Sequence, residues 1–328
     1  MVRLLSRTDV QSLISMDGAI DILERAFRDF AAGNVKMPVR TPIPVPENSG
    51  VALFMPAYIP SLAALGAKVV TVYGNNPPKH KLPAVLGTII LLDPETGKPV
   101  CIMEAGFLTA VRTGAVSGLA TKHLARDDAK VHVLFGTGVQ AGAQARAVAC
   151  ARKLERCIVH SIDTPEMKRI FAQAMFEQTG VETVVAESPE DAVRQADILT
   201  LATSSKEPII DGNWVKPGTH INGIGSHAPA MREIDAATVA KSVVVCDSLD
   251  ACKAEAGDLI IPVTDGRWSW DRVRAELGEV VAGMKPGRTG PGEITLFKSC
   301  GLALQDMATA SFVYKEALAK GVGKDFDF

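Results

Sequence analysis

Apolar residues at helical spacing predict a helix close to the start of the chain. They follow Asp17, and Gly33 comes shortly after the pattern ends. An acidic residue before such a pattern and a glycine after it are typical of a helix with a capped start and a glycine stop. The N-terminus is therefore predicted to be helical. The apolar positions are Ile20, Leu23, Phe27 and Phe30.

From Val51 the pattern changes to short runs that are rich in β-branched residues. The runs are VALFM, AKVVTVYG, GTIILLD and PVCIM. The turn-forming sequence Pro-Glu-Thr-Gly-Lys at residues 94–98 separates the last two runs. Short runs of this kind with turn residues between them are typical of β-hairpins. This region is therefore predicted to form a sheet built from hairpins.

A helical stretch from Leu108 to Leu124 leads into a region in which strands and helices alternate. Its helices include AQARAVACARKL and PEMKRIFAQAMF, and a last helix is predicted from Leu302 to Ala319. Alternation of this kind predicts parallel βαβ units with helices on both faces of the sheet. The fold class is therefore α/β with a doubly wound domain. The strand candidates begin at Val131, Cys157, Thr183, Ile198, Thr219 and Val243.

Composition narrows the kind of protein. A chain of 328 residues favours two domains, and 47% hydrophobic with 22% charged residues is the usage of a globular enzyme. The 35 basic and 37 acidic residues give a net charge of -2, which offers no general attraction for nucleic acid or an anionic membrane. No apolar run approaches the roughly 18 residues of a bilayer span, and the first residues do not form a signal peptide. We therefore expect a cytoplasmic protein.

The six cysteines are scattered along the chain. They show neither C-x-x-C spacing nor a histidine at metal-ligand spacing. Reduced and mostly buried thiols are the simplest interpretation, and no metal site is predicted.

A glycine-rich turn follows the strand VHVLFG and precedes a helix. Gly136, Gly138 and Ala141 form the G-x-G-x-x-A version of the dinucleotide fingerprint. The first glycine permits a tight turn, the second lets the backbone approach a pyrophosphate, and the alanine allows close packing of helix on strand. Free N–H groups at the start of the helix would hold the phosphates. The sequence therefore predicts a dinucleotide site.

Asp163 ends the second strand of this unit. It stands close to the position, roughly 20 residues beyond the glycines, where an acidic residue binds the ribose hydroxyls of NAD. This placement favours NAD, with NADP as the alternative cofactor. Asp163 is also placed to cap a helix that starts at Pro165, and one residue can do both.

Together these residues resemble the ornithine cyclodeaminase/μ-crystallin family over nearly the whole chain. The family includes alanine dehydrogenases, cyclodeaminases and ketimine reductases that act on cyclic imino acids. Each motif is weak alone, but the set is specific. The motifs are residues 65–68 (LGAK), 93–97 (DPETG), 108–113 (LTAVRT), 136–140 (GTGVQ), 221–225 (INGIG), 233–235 (EID) and 297–299 (FKS).

The resemblance implies a domain organisation. Residues 1–118 with 305–328 would form a smaller α+β domain for substrate binding and dimerisation, and the Rossmann domain, residues 119–304, would be inserted in it. The active site would lie in the cleft. The fingerprint and the resemblance together predict the cofactor-binding residues Arg112, Thr113, Gly136, Gly138, Val139, Gln140, Asp163, Thr203, Asn222, Gly223, Ile224 and Ser299.

The resemblance also implies that Arg40, Lys68 and Arg112 gather around a substrate carboxylate. Lys68 interrupts the apolar run ALGAKVVTV, where an unpaired ammonium would be costly, and Arg112 stands in similar surroundings. A guanidinium can hold a carboxylate through two hydrogen bonds. Lys68 can also donate a proton if burial lowers its pKa. Arg40, before a proline-rich strand, has an equally plain interpretation as a surface charge.

His227 departs from the pattern of the cyclodeaminases and alanine dehydrogenases, which carry an aspartate at the matching position. An imidazole cannot replace the anion that holds a substrate ammonium during deamination of a diamine. His227 is suited to assist protonation of an imine while hydride arrives from a nicotinamide. It can also be a loop histidine that caps the next helix.

These considerations predict NAD(P)H-dependent reduction of a small cyclic 2-imino acid, such as Δ1-pyrroline-2-carboxylate or Δ1-piperideine-2-carboxylate, to the L-amino acid. Lys68 and His227 are the predicted catalytic residues, and a homodimer is expected. Alanine dehydrogenase and ornithine cyclodeaminase activities are the alternatives among enzymes. A non-catalytic binding protein resembling μ-crystallin is the alternative from another class.

Overall fold

The computed structural model describes residues 1–327. Its strands are β1 (Val2–Leu5), β2 (Thr41–Val45), β3 (Gly50–Ile59), β4 (Ala64–Tyr73), β5 (Val85–Leu92), β6 (Pro99–Glu104), β7 (Val131–Phe135), β8 (Arg156–His160), β9 (Glu182–Val185), β10 (Ile198–Leu201), β11 (His220–Gly223), β12 (Ser242–Cys246), β13 (Val273–Glu276), β14 (Ile294–Lys298) and β15 (Lys324–Phe326). Its helices are α1 (Arg7–Leu13), α2 (Met16–Ala31), α3 (Asn76–His80), α4 (Gly106–Leu124), α5 (Val139–Ala151), α6 (Pro165–Thr179), α7 (Pro189–Gln195), α8 (Ala236–Lys241), α9 (Leu249–Glu255), α10 (Gly257–Thr264), α11 (Leu277–Val281) and α12 (Ala303–Lys320).

The chain forms two compact units, and the first contains residues 1–112 together with the segment that starts at Leu302. Its sheet has the strand order β15-β1-β6-β5-β4-β3-β2. The strands from β2 to β6 pair antiparallel with their sequence neighbours, which confirms the predicted hairpins. Helix α12 packs on β3, β4 and β5 and on helix α2. One face of this sheet is therefore covered by helices.

The N-terminal prediction needs two corrections. Residues 2–5 form strand β1, which pairs with β6 and with β15, so the chain does not begin with a helix. The predicted helix is α2, but its N-cap is Ser15, whose Oγ accepts from the Gly18 amide at 3.1 Å. Asp17 instead lies in the first turn, where its charge favours the helix dipole. Gly33 follows the helix with φ of 74°, as a glycine stop requires.

The second unit contains residues 113–301 and an eight-stranded sheet in the order β13-β12-β14-β11-β10-β7-β8-β9. All its strand pairs are parallel. Along β7, Val133 and Phe135 pack in one core cluster while Leu134 packs in another with Ala141 and Met175. Both faces of the sheet are therefore buried, as a doubly wound sheet requires. The predicted fold class is confirmed.

Two further features bear on the kind of protein. Within residues 1–327, no helix combines the length and the apolar character needed to cross a membrane. All six cysteines lie in this range and none of them forms a disulfide bond; five are buried and Cys150 is exposed. The prediction of reduced, mostly buried thiols is confirmed.

Candidate active site

Lys68 is a fully buried lysine in the middle of strand β4. Its register partners on the two neighbouring strands are Met55 and Ile89, and both are buried. Side chains alternate between the faces of a strand, so Lys68 lies on the buried face together with these apolar residues. An ammonium in such surroundings requires a partner.

The partner is Asp306, in the first turn of helix α12. Its Oδ2 lies 2.7 Å from Lys68 Nζ, and its Oδ1 lies 3.0 Å from Arg112 Nε. Arg112 Nη1 also donates to Gln305 Oε1 at 2.5 Å. Sequence analysis missed Asp306. An acidic residue between Leu304 and Met307, in a half of the helix with no other charged residue, was the available signal, because a buried acid implies a buried base.

The charges of this cluster do not cancel. Asp306 supplies one negative charge, whereas Lys68 and Arg112 supply two positive charges, and Arg40 adds a third that acts on Lys68. Burial, helped by the positive charges of Arg112 and Arg40, lowers the pKa of Lys68 to about 7 even though Asp306 opposes the shift. The first unit thus gathers the three predicted basic residues. A surplus of positive charge at a lysine that titrates near neutrality suits a substrate carboxylate and a proton transfer.

The glycine-rich turn lies between strand β7 and helix α5 in the second unit. Gly136 has φ of 111°, and a Cβ there would come within 2.7 Å of the Ala202 carbonyl oxygen, so only glycine is accommodated. Gly138 is the N-cap of α5 and provides no side chain to cap it. A Cβ on Gly138 would meet open space. The start of α5 therefore has the backbone donors and the room that a dinucleotide pyrophosphate needs.

Asp163 lies just beyond strand β8. It accepts hydrogen bonds from the hydroxyls of Thr137 and of Ser161, the latter at 2.9 Å. These bonds hold the pKa of Asp163 below its usual range, so it is ionised near neutrality. It does not cap the next helix. That cap is Thr164, whose Oγ1 accepts from the Met167 amide at 3.3 Å, and the capping interpretation of Asp163 is wrong.

The other predicted cofactor residues of this unit lie at strand or helix ends, except for Thr113, which lies within helix α4. Val139 and Gln140 form the first turn of α5, and Thr113 accepts a hydrogen bond from Gln144 through its carbonyl oxygen. Thr203, Asn222, Gly223, Ile224 and Ser299 lie at or beyond the carboxyl ends of β10, β11 and β14.

Two of these side chains are already engaged within the protein. Asn222 Nδ2 donates to Thr121 Oγ1 at 3.1 Å, and Ser299 Oγ donates to Asp247 Oδ2 at 2.7 Å. Both residues are buried. Both side chains are therefore committed to contacts within the protein.

His227 lies in the loop that follows strand β11, and its side chain is exposed. Its Nδ1 is 2.8 Å from the Gly225 carbonyl oxygen. A carbonyl only accepts, so this contact assigns the Nδ1 hydrogen and turns the ring within its own loop. The imidazole is therefore oriented by the backbone of the motif that carries it.

The first unit thus contains a buried basic cluster, and the second unit is a doubly wound α/β unit with a dinucleotide-type turn. The family model described as "Ornithine cyclodeaminase/mu-crystallin family" matches residues 2–321. The chain belongs to this family, and the predicted resemblance is confirmed.

Curated relatives cover the full length. A Δ1-pyrroline-2-carboxylate reductase from Bacillus cereus is 37% identical over 325 residues, which is 99% of each chain. An alanine dehydrogenase from Archaeoglobus fulgidus is 36% identical over 99% of this chain and 98% of its own. A ketimine reductase mu-crystallin from Macropus fuliginosus is 36% identical over 89% of this chain and 90% of its own.

Solved structures agree with these relatives. The Δ1-pyrroline-2-carboxylate reductase of Thermococcus litoralis, in complex with NADH and L-proline, has a TM-score of 0.96 at 45% identity, covering 99% of this chain and 100% of that one. An archaeal alanine dehydrogenase dimer with bound NAD has a TM-score of 0.94 at 37% identity, covering 100% of this chain and 99% of that one.

Proposed function

We propose that this protein is an NADH-dependent reductase of a small cyclic 2-imino acid, with Δ1-pyrroline-2-carboxylate as the first candidate substrate and L-proline as its product. The observation that carries the proposal is the buried cluster of Lys68, Arg112 and Asp306 with its surplus of positive charge. The similarity to the B. cereus and T. litoralis reductases supports the same substrate class.

The basic cluster would bind the carboxylate of the imino acid. Arg112, already oriented by Asp306 and Gln305, offers a rigid guanidinium, and Arg40 adds a second. Preorganised donors of this kind cost little reorganisation when the substrate binds. Substrate recognition is therefore assigned to the first unit.

The dinucleotide supplies the hydride when it is bound, and the residues of this chain supply the proton. The Lys68 ammonium, with its pKa of about 7, gives up a proton at neutral pH far more readily than an ordinary lysine. His227 assists as a second carrier that exchanges protons with water. Addition of hydride to the imine carbon and a proton to the nitrogen yields the amino acid.

NADH is the proposed cofactor, with NADP(H) as the alternative. The pyrophosphate is assigned to Gly136, Gly138 and the start of helix α5. The ionised carboxylate of Asp163 would accept from the ribose hydroxyls and repel the 2′-phosphate of NADPH. Within residues 1–327 none of the six cysteines forms a disulfide bond, which agrees with a reducing compartment such as the cytoplasm.

A homodimer is proposed through the outer face of the first sheet, which is the face opposite to Lys68. Phe54 pairs with Val69 on this face, and Ile43 and Leu86 lie in the adjacent row. Their exposures are 40%, 36%, 50% and 39% in that order. A contiguous apolar patch of this kind marks an interface, and the similar archaeal alanine dehydrogenase is a dimer.

Analytical ultracentrifugation tests the homodimer. The wild type should sediment as a dimer, and Phe54→Glu should sediment as a monomer because it places a charge in the apolar interface.

A substrate panel tests the proposed activity. NADH and NADPH oxidation is measured with cyclic imino acids and, separately, with keto acids in the presence and absence of ammonium. The proposal expects the cyclic imino acids to react without added ammonium. Reaction only of keto acids with ammonium would instead favour the alanine dehydrogenase alternative that the A. fulgidus relative represents.

A further inference from the structure

Three buried charged residues contact one another or the loops near the carboxyl ends of strands β10, β11 and β14. They are Glu233, Asp258 and Lys298, and each is fully buried. Glu233 belongs to the family motif at residues 233–235, for which the proposed mechanism has no role. Burying three charges is costly unless they are paired and hydrogen-bonded, so their contacts indicate what they stabilise.

Glu233 joins two loops through one carboxylate. Its Oε1 accepts from the backbone amide of Thr203 at 2.6 Å and from the hydroxyl of the same residue at 2.8 Å. Its Oε2 accepts from the backbone amide of Gly225 at 2.7 Å. Both loops are therefore held by the same side chain, because Thr203 follows β10 and Gly225 follows β11.

Gly225 shows how closely Glu233 approaches. A Cβ built on Gly225 would lie 2.5 Å from the Glu233 carboxyl carbon and 2.2 Å from the Thr203 carbonyl oxygen. No other residue fits at position 225 without displacing one of these loops. The contact between the carboxylate and the Gly225 amide thus depends on the glycine.

The remaining charges anchor Glu233 itself. Asp258 Oδ1 accepts from the backbone amide of Glu233 at 2.7 Å, and Asp258 Oδ2 accepts from Lys298 Nζ at 2.9 Å. Lys298 Nζ also donates to the Gly223 carbonyl oxygen at 3.1 Å. The Asp258 amide donates to Ser226 Oγ at 3.3 Å, directly before His227 in the chain. The network thus connects the ends of three parallel strands.

The position of these loops relative to the fingerprint indicates their role. The phosphate-binding turn and Asp163 follow β7 and β8, which places the adenosine half of a dinucleotide there. The order of the sheet continues from β7 to β10 and β11 on the other side. A dinucleotide lies across the carboxyl ends at this switch point, so its nicotinamide half falls to the loops after β10 and β11.

We infer that Glu233 is a positioning residue for the nicotinamide half of the cofactor, holding the Thr203 and Gly225 loops, and with them His227, in one fixed arrangement. It acts through these loops and touches neither cofactor nor substrate. The inference rests on the proposed function for the identity of the cofactor, but it requires binding only and no turnover.

Glu233→Gln tests the inference, because the amide keeps one acceptor oxygen and turns an N–H₂ group toward a backbone donor. One of the two loops then loses its bond. We expect the Kd of NADH to rise about tenfold, the effect of losing one hydrogen bond to a charged group. ADP-ribose lacks the nicotinamide, so its Kd should change less than about twofold, which corresponds to a small fraction of one hydrogen bond. The matched control is Glu182→Gln, an exposed glutamate in the same unit.

The comparison of the two ligands separates positioning from general loss of structure. A disordered second unit would lose ADP-ribose and NADH alike, and that result, or an unchanged Kd of NADH, would overturn the inference. If Glu233→Gln does not fold, Glu233→Asp is measured in the same way, since it keeps the charge but is one methylene shorter. A wild-type protein that binds NADH but reduces no imino acid would contradict the proposed function alone. A wild-type protein that binds no NADH would overturn both.

Discussion

Asp306 Oδ2 lies 2.7 Å from Lys68 Nζ, and the two side chains are 1% and 0% exposed. The lysine belongs to a hairpin strand and the aspartate to the last helix of the chain. Because the same carboxylate also meets Arg112, it orients two of the three basic residues that we assign to the substrate. The central chemistry of the proposal therefore depends on an acidic residue as much as on the basic ones.

Asp306→Asn should lower both stability and activity. The amide keeps the shape but removes the charge, so Arg112 is left as a buried cation without compensation and Lys68 loses the partner that stabilises its protonated form, at a cost of about 3–5 kcal/mol. Thermal and urea unfolding measure the loss, with Asp21→Asn on the exposed side of helix α2 as the control. Equal stability of the two variants would show that the ion pair contributes nothing to the fold.

The pH profile of the reaction should reveal the lysine. The protonated form of Lys68 is the proton donor and its pKa is about 7, so kcat/KM should be level below that pH and fall as pH rises through it. This fall at high pH is the alkaline limb of the profile. Lys68→Arg keeps the cation at all accessible pH values and should abolish the limb. Asp306 raises the Lys68 pKa, so Asp306→Asn should move the limb to lower pH. An identical limb in wild type and Lys68→Arg would assign it to another group.

Asp163→Ser should change the choice of cofactor. The variant loses a charged acceptor for the ribose hydroxyls, so kcat/KM with NADH should fall. It also loses the charge that repels a 2′-phosphate, so the ratio of kcat/KM with NADPH to kcat/KM with NADH should rise. The ratio of the two values is the measurement. Since Thr164 is the helix cap, any fall in the unfolding temperature should be small and come from the lost hydrogen bonds to Thr137 and Ser161. A ratio that does not change would remove Asp163 from the cofactor site.

His227→Ala should slow imine reduction and should not create ornithine cyclodeaminase activity. A general acid–base contribution at the low end of its range predicts a fall of about 10²-fold in kcat. Neither wild type nor variant should release ammonia from ornithine, because no carboxylate stands at this position to hold the second ammonium group. Ammonia release by the wild type at a rate comparable to its best imine would restore the cyclodeaminase interpretation.

The sequence predicted those parts of the fold whose signals are local. Hairpins from Val51 and the alternating strands and helices from Val131 were both recognised, because apolar periodicity and turn residues are written in neighbouring positions. Strands β1 and β15 were not recognised. They pair with each other from opposite ends of the chain, and four residues such as VRLL carry no pattern that distinguishes a strand. Only the tertiary pairing defines them.

The candidate site was predictable to a similar extent. Lys68 and Arg112 stood out because each interrupts an apolar run, which is costly unless the charge is used. Asp306 and Glu233 were missed as functional residues, although the same argument applies to Asp306. Their partners are distant in sequence, so no spacing rule connects them, and their contacts emerge only when the sheets and helices are assembled.

The most direct test of the proposed activity measures the consumption of NADH in the presence of Δ1-pyrroline-2-carboxylate and the formation of the amino acid in the same reaction. Purified protein is incubated with both, without ammonium, and the amino acid formed is resolved by chiral chromatography. One L-proline should form for each NADH oxidised, and Arg112→Ala and Lys68→Ala variants that remain folded should each lose about 2–4 kcal/mol of transition-state stabilisation, measured from kcat/KM. Absence of L-proline from the wild type, or undiminished turnover in both folded variants, would contradict it.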